Sequence, residues 1–123
     1  MDKTLFERLG GKEAVSAVVD RFYDIMLADE RVKHFFVDTN MDKQRLHQKN
    51  FVTMATGGDS EYSGKDMREA HKHLVEKMGL SDVHFDATVE NLVQALHEFN
   101  VPENLIAELG TTLETTRNDV LNR

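Results

Sequence analysis

Apolar residues recur at spacings of three and four along most of this 123-residue chain, which places them on one face of an α-helix. No segment shows the two-residue alternation that is typical of a half-buried strand. Glycine and proline divide the pattern into short pieces, so the sequence predicts an all-α protein of about six helices. The expected elements are helices at Leu5–Leu9, Lys12–Leu27, Met41–Thr56 and Lys65–Met78, a short turn at Glu30–Phe35, a helix from Ser81 or Asp82, and a last helix from Pro102.

Composition excludes several classes of protein. The chain has no cysteine, which rules out disulfides, thiolate metal sites, iron–sulfur clusters and thiol catalysis. A net charge of -7 argues against nucleic acid as a partner, because binding to phosphates needs clustered Lys and Arg. The apolar runs are far short of a membrane span, and Met1-Asp2-Lys3-Thr4 lacks an apolar signal segment. We therefore expect one domain over residues 1–123, a monomer in the cytoplasm that does not bind membranes.

Two of the expected helices carry polar side chains on faces that should be apolar. His71 lies in a helical stripe with Met67, Ala70, Leu74, Val75 and Met78. Burying such a ring is costly unless something binds it. On an earlier helix Gln44, His47 and Gln48 fall in line with Phe51 and Ala55. The simplest explanation for both intrusions is a flat, mostly apolar group that carries a metal between the two helices, and that group would be a haem.

Other metal sites are disfavoured by the spacing of the histidines. A zinc protease motif needs two histidines four apart, and a di-iron bundle needs a glutamate three residues before a histidine; neither occurs. His71 and His73 are two apart and face different directions, so they do not chelate one ion. His34, His84 and His97 are interpreted as surface or capping residues. A helical scaffold without a cofactor, with His71 as a structural imidazole, is the remaining alternative.

Several short segments match a known family in order and spacing. They are Leu9-Gly10-Gly11, Arg21-Phe22-Tyr23, His34-Phe35-Phe36, Asp42 to Gln48, Gly57-Gly58 with Tyr62 and Gly64, Met67 to His71, His84-Phe85-Asp86 and Asp119 to Asn122. Together they resemble the group 1 truncated haemoglobins of photosynthetic microbes. The resemblance implies a single globin domain in which helices pack two over two around a haem.

The same resemblance implies roles for individual residues. His71 would be the proximal iron ligand, and His47 a distal histidine able to occupy the sixth coordination position. Tyr23, Gln44 and Gln48 would donate hydrogen bonds to a bound ligand. The remaining haem contacts would come from Phe36, Phe51, Met67 and Leu74, with Lys43 as a partner for a propionate.

The chain also departs from the family pattern. Some close relatives carry a histidine in the last helix that bonds covalently to a haem vinyl, but this chain has Thr115-Thr116-Arg117 there and no histidine beyond His97. We therefore predict heme b held without a covalent bond. Met54 and Thr56 replace bulky aromatics found in close relatives, which leaves the shape of any gas tunnel open.

The implied function is reversible binding of O2 and other diatomic gases such as NO and CO, as an oxygen carrier or store. Two alternatives stay open at this point. One is a nitric oxide dioxygenase that forms nitrate with the help of an electron-donating reductase. The other is electron transfer or ligand sensing by a form with both histidines on the iron.

Overall fold

A computed structural model describes residues 3–58 and 64–123, and side chains within 64–67 are not described. Every regular element in the described ranges is helical, which confirms the all-α prediction. The elements are α1 (Leu5–Arg8), α2 (Gly11–Ala28), a 3₁₀ turn (Lys33–Phe36), α3 (Met41–Ala55), α4 (Gly64–Met78), α5 (Asp82–Glu98), α6 (Glu103–Glu114) and α7 (Arg117–Val120).

Local chemistry explains most of these boundaries. The Thr4 hydroxyl accepts a hydrogen bond from the Glu7 amide at 3.1 Å, and the Asn40 side chain accepts one from the Lys43 amide at 3.2 Å. Both residues therefore cap the helices that follow them. Gly10 has a φ of 112°, a left-handed conformation that favours glycine and separates α1 from α2.

The prediction of one last helix was wrong, because α6 and α7 are separate. The hydroxyls of Thr115 and Thr116 donate to the carbonyls of Thr112 and Leu113, both at 2.6 Å. Side chains that bind backbone carbonyls in this way compete with the regular helix, and the chain turns at this point. The short turn also differs slightly from the expected Glu30–Phe35, since the 3₁₀ turn begins at Lys33.

The four long helices α2, α3, α5 and α6 form a two-over-two sandwich. Helix α2 packs on both α3 and α5, and α6 packs on both α3 and α5. The core between them includes Val19, Phe22, Leu92, Ala95 and Leu109, each at most 3% exposed. This arrangement fixes α2 and α3 side by side, with the polar residues of α3 at one end of the sandwich.

Helix α4 lies at the side of this sandwich and packs mainly against α7. Within the described residues 68–78 none is fully buried, and His71, Leu74, Val75 and Met78 are half-buried. Ala70, which we expected in the same stripe, is exposed. The apolar face of α4 is therefore only partly covered by protein. In the described ranges, no helix has the length and apolar character needed to cross a membrane.

Candidate functional site

A cleft opens between the amide-bearing face of α3 and the partly uncovered face of α4. Most of its lining is aromatic or aliphatic, and Phe36, Phe51 and Leu74 are part of it. In the described part of the chain no carboxylate lines the cleft or its mouth.

One wall of the cleft carries a buried hydrogen-bonded pair. The Gln44 side-chain amide donates to the Tyr23 hydroxyl at 3.0 Å, and Tyr23 is only 2% exposed. Edge-on contacts with Phe22 and Phe36, at centroid separations of 4.9 and 5.7 Å, fix the orientation of the phenol ring. Tyr23 is as deeply buried as the apolar residues of α2.

Arg45 joins α3, which carries Gln44, to α2, which carries Tyr23. Its guanidinium donates to the Asp20 carbonyl at 2.8 Å and pairs with the Asp24 carboxylate at 3.1 Å. It also lies 5.8 Å from the centre of the Tyr23 ring. Since Asp20 and Asp24 belong to α2, these contacts tie α3 to α2 one residue from Gln44.

The opposite wall is formed by α4. His71 and Leu74 line both the inner part of the cleft and an adjoining outer part, which we call its mouth. His47 is exposed and lines the mouth alone. The structure thus brings most of the expected site residues to one cleft. They are Tyr23, Phe36, Gln44, His47, Gln48, Phe51, His71 and Leu74.

Two expected residues are not placed in this lining. Lys43 is exposed at the start of α3 and does not line the cleft. Met67 was expected to contact the haem, but its side chain lies outside the described residues. His73 is exposed and also borders the mouth.

The inner end of the cleft contains residues that sequence reasoning did not assign to it. Phe85, Thr88 and Val89 come from α5, and Thr116 and Val120 come from the region of α7. Phe85 and Val89 belong to an apolar stripe on α5, which reads as ordinary core in the sequence. No sequence pattern separates an apolar residue that faces a cleft from one that faces another helix.

The other histidines have structural partners, as expected. The His84 ring nitrogen accepts a hydrogen bond from the Ser81 amide at 3.0 Å, and burial together with nearby His34 lowers the pKa of His84. His97 lies 2.6 Å from the Glu103 carboxylate. Over the described residues, no group of three or more His, Cys, Asp or Glu side chains could hold a bare metal ion.

The donor set of the cleft fits a haem. One imidazole projects from an apolar helix face that protein atoms leave half-covered, and a phenol and two amides line the facing wall. A flat apolar group with one metal centre would cover the face of α4 and use the imidazole as a ligand. An all-helical two-over-two sandwich around such a cleft defines the truncated globins as a structural class.

Comparison with known proteins identifies the family. A family model described as bacterial-like globin matches residues 4–122. A group 1 truncated hemoglobin of Synechocystis sp. is 52% identical over 122 residues, or 98% of each chain. The 2/2 hemoglobin of Synechococcus sp., solved with covalently attached heme, is 54% identical with a TM-score of 0.92 over 98% of this chain and 100% of that one. The truncated hemoglobin of Tetrahymena pyriformis in its Fe(III) form is 47% identical with a TM-score of 0.87, over 97% and 98% of the two chains.

The chain therefore belongs to the bacterial-like globin family, and the relatives it resembles are group 1 truncated haemoglobins. Membership implies haem as the cofactor and a small gas such as O2 as the ligand.

Proposed function

We propose that the cleft holds heme b without a covalent bond, with His71 as the proximal ligand, and that the protein binds O2 reversibly, with CO and NO as further ligands. The observation that carries this proposal is the position of His71 on the half-covered face of α4, opposite the Tyr23–Gln44 pair. When bound, the haem supplies an iron that takes one protein nitrogen and one gas molecule.

The apolar walls would provide most of the affinity for haem. Phe36, Phe51 and Leu74 offer aromatic and aliphatic surface, and each Å² of apolar area removed from water is worth about 25 cal/mol. Lys43 is exposed on the first turn of α3, where its ammonium group can pair with a propionate in solvent. Met67 remains a predicted contact.

Tyr23, Gln44 and Gln48 would stabilise the bound gas. The Gln44 amide donates to the phenol oxygen and holds the Tyr23 hydroxyl in the wall of the cleft, where it would face a bound gas. The Gln48 amide lines both the inner cleft and its mouth and can supply a second donor. Donors that are already held in place need no reorganisation to bind the ligand. Their hydrogen bonds therefore strengthen binding and slow the release of the gas.

His47 would compete with the gas for the sixth coordination position. Its helix carries it to the mouth that His71 also lines, and its exposed side chain can move without disturbing the core. Ligand entry would then depend on departure of the imidazole, as in any two-state equilibrium in which only one state is competent to bind.

The direct test is to add haem to the apoprotein and to record ferric and ferrous spectra with and without CO. His71→Ala should lose the ability to retain haem, whereas His97→Ala, an exposed histidine bound to Glu103, should load normally. Normal haem retention by His71→Ala would contradict the assignment of the proximal ligand.

The absence of a covalent bond has its own test. Acidified organic solvent should extract the haem from the chain, since Thr115, Thr116 and Arg117 offer no imidazole to bond with a vinyl group. Haem that stays with the polypeptide would refute the heme b assignment.

Nitric oxide dioxygenation is the alternative that the buried Tyr23–Gln44 pair favours, because a ligand that leaves slowly suits turnover better than delivery. Mixing the oxygenated protein with NO, with and without NAD(P)H and a cellular reductase, separates the two. Repeated nitrate formation would indicate an enzyme, and a single stoichiometric burst would indicate a binding protein. The reductase, the monomeric state and the cytoplasmic location stay predictions of the sequence.

A further inference from the structure

The helix that carries His71 is held in place by a short part of the chain. Of the described elements, α7 is the one that α4 packs against most extensively, while the four-helix sandwich makes few close approaches to α4. What fixes residues Arg117–Arg123, which we call the α7 segment, therefore contributes to the position of the His71 imidazole.

Among the described residues, three hydrogen bonds join α4 to the α7 segment, and each of them involves Arg68. One guanidinium nitrogen of Arg68 donates to the Asp119 carboxylate and to the Arg123 carbonyl, each at 3.1 Å. The Asn122 side-chain amide donates to the Arg68 carbonyl, also at 3.1 Å. Arg68 is thus held through both its side chain and its backbone. It lies three residues before His71, which is about one helical turn.

The α7 segment is in turn held by the first turn of α5. Arg117 donates to the carboxylates of Asp82 and Asp86 at 2.9 and 2.6 Å, and its guanidinium lies 4.4 Å from the centre of the Phe85 ring. Arg123 donates to both oxygens of Asp82 at 2.9 and 3.1 Å. Asp82 therefore receives both arginines of the α7 segment.

These contacts form one continuous path from the sandwich to the His71 helix. We propose that Arg68, Asp119 and Asn122 are positioning residues for the His71 imidazole, and that Asp82 anchors them by holding Arg117 and Arg123. The proposal rests on the proposed function, in which His71 binds the haem iron.

The test compares Arg68→Met with a matched control, Arg21→Met. Arg21 also forms an exposed ion pair, to Glu98 at 2.9 Å, and the side chains of the two pairs are similarly exposed: 41% and 42% for Arg68 and Asp119, 43% and 39% for Arg21 and Glu98. Arg21 does not line the cleft. Haem loss to excess apomyoglobin, measured on the full-length haem-loaded protein, should be about three- to tenfold faster in Arg68→Met. Arg21→Met should match the parent within about twofold.

A purely structural role would not change the bond between iron and imidazole, so a second measurement addresses that bond. The second measurement uses a His47→Leu background, in which the competing imidazole is absent and the ferrous iron would keep one histidine. Resonance Raman spectra without gas then report the iron–histidine stretch, which should shift or broaden when Arg68→Met is added and return towards the background value with Arg68→Lys. Asp82→Ala, which lies outside the cleft, should change both readouts in the same direction but by less, because it releases Arg123 while Arg117 keeps its bonds to Asp86 and Glu114.

The outcomes distinguish the positioning role of Arg68 from the haem-binding function on which it rests. If the parent loads haem but Arg68→Met keeps the parent's loss rate and stretch, or if Arg21→Met changes them equally, the positioning role is wrong. If the parent takes up no haem, the proposed function fails. Hydrogen exchange of the apoprotein then tests whether the network positions α4. Arg68→Met should speed exchange in residues 68–78 and leave exchange in α2 unchanged. Exchange in residues 68–78 equal to that of the parent would overturn the positioning role.

Discussion

At the scale of single residues, the cleft depends on a phenol that is buried by the packing of its ring and that also lines the cleft. Tyr23 stacks edge-on against Phe22 and Phe36, and its oxygen is fixed by Gln44. A buried hydroxyl without a hydrogen bond would be costly, so the amide both stabilises the phenol and sets its direction. The same contact that stabilises the fold therefore prepares the site.

Tyr23→Phe keeps the ring and removes only the hydroxyl. A hydrogen bond to a partly charged ligand contributes about 1.5 to 3 kcal/mol, so O2 dissociation should accelerate roughly ten- to hundredfold. Stopped-flow displacement of O2 by CO measures this rate. Gln94→Ala, which removes an exposed amide of α5, is the control and should leave the rate unchanged. A dissociation rate in Tyr23→Phe equal to that of the parent would show that the phenol does not contact the ligand.

His47→Leu tests the competing imidazole. If the closed form outweighs the open form by about a hundred to one, apparent gas affinity is lowered by about that factor, and the substitution should restore it. The low-spin spectrum of the protein without added ligand should disappear, and CO binding should no longer saturate with CO concentration. His97→Leu should retain the parent spectrum. A low-spin spectrum that persists in His47→Leu would remove His47 from the iron.

At the scale of elements, the start of α5 depends on an imidazole that must stay neutral. The His84 ring nitrogen can accept from the Ser81 amide only when it carries no proton. Burial, and repulsion from His34 when that ring is protonated, lower the pKa of His84 from its usual 6.5. The unfolded chain then binds a proton more readily than the folded one as the pH falls below about 6.5.

His84→Gln should remove this pH dependence without removing the cap. Glutamine at the third helical position can also accept from the capping residue's amide, but it does not titrate. In the apoprotein, the stability contributed by His84 is present above about pH 6.5 and is lost as the pH falls through the lower folded pKa. Thermal unfolding at pH 7 and pH 5 should show a smaller drop for His84→Gln than for the parent. Equal drops would contradict the role of the ring.

The starts of the helices could be predicted from the sequence. The end of α6 and the extent to which other helices cover α4 could not. Thr4 and Asn40 cap through bonds that span three residues, so the local sequence contains all the information. The break at Thr115 and Thr116 depends on whether their hydroxyls bind the backbone or water, and local sequence leaves both choices open. The exposure of Ala70 likewise depends on which helices approach α4.

At the scale of the whole molecule, the cleft is assembled from elements far apart in the chain. His71 and the α3 amides stood out because each breaks an apolar pattern on its own helix. Phe85, Val89 and Val120 break no pattern, and only the packing of α5 and α7 brings them to the inner end. Polar residues in apolar stripes are therefore predictable site members, whereas apolar lining residues are not.

The uneven cover of α4 predicts how the whole molecule responds to its cofactor. Haem that binds only the folded protein stabilises it by about 4 kcal/mol when free haem is a thousandfold above its Kd. For a domain of this size that corresponds to a rise in Tm on the order of 10–20 °C. The gain in hydrogen-exchange protection should be largest in residues 68–78, whose apolar side chains are half-buried without it, and smallest in α2. His71→Ala should show little of either change, because the affinity that drives both requires the imidazole. A uniform gain in protection, with α4 no different from α2, would mean that the sandwich and the His71 helix already form one equally stable unit before haem binds.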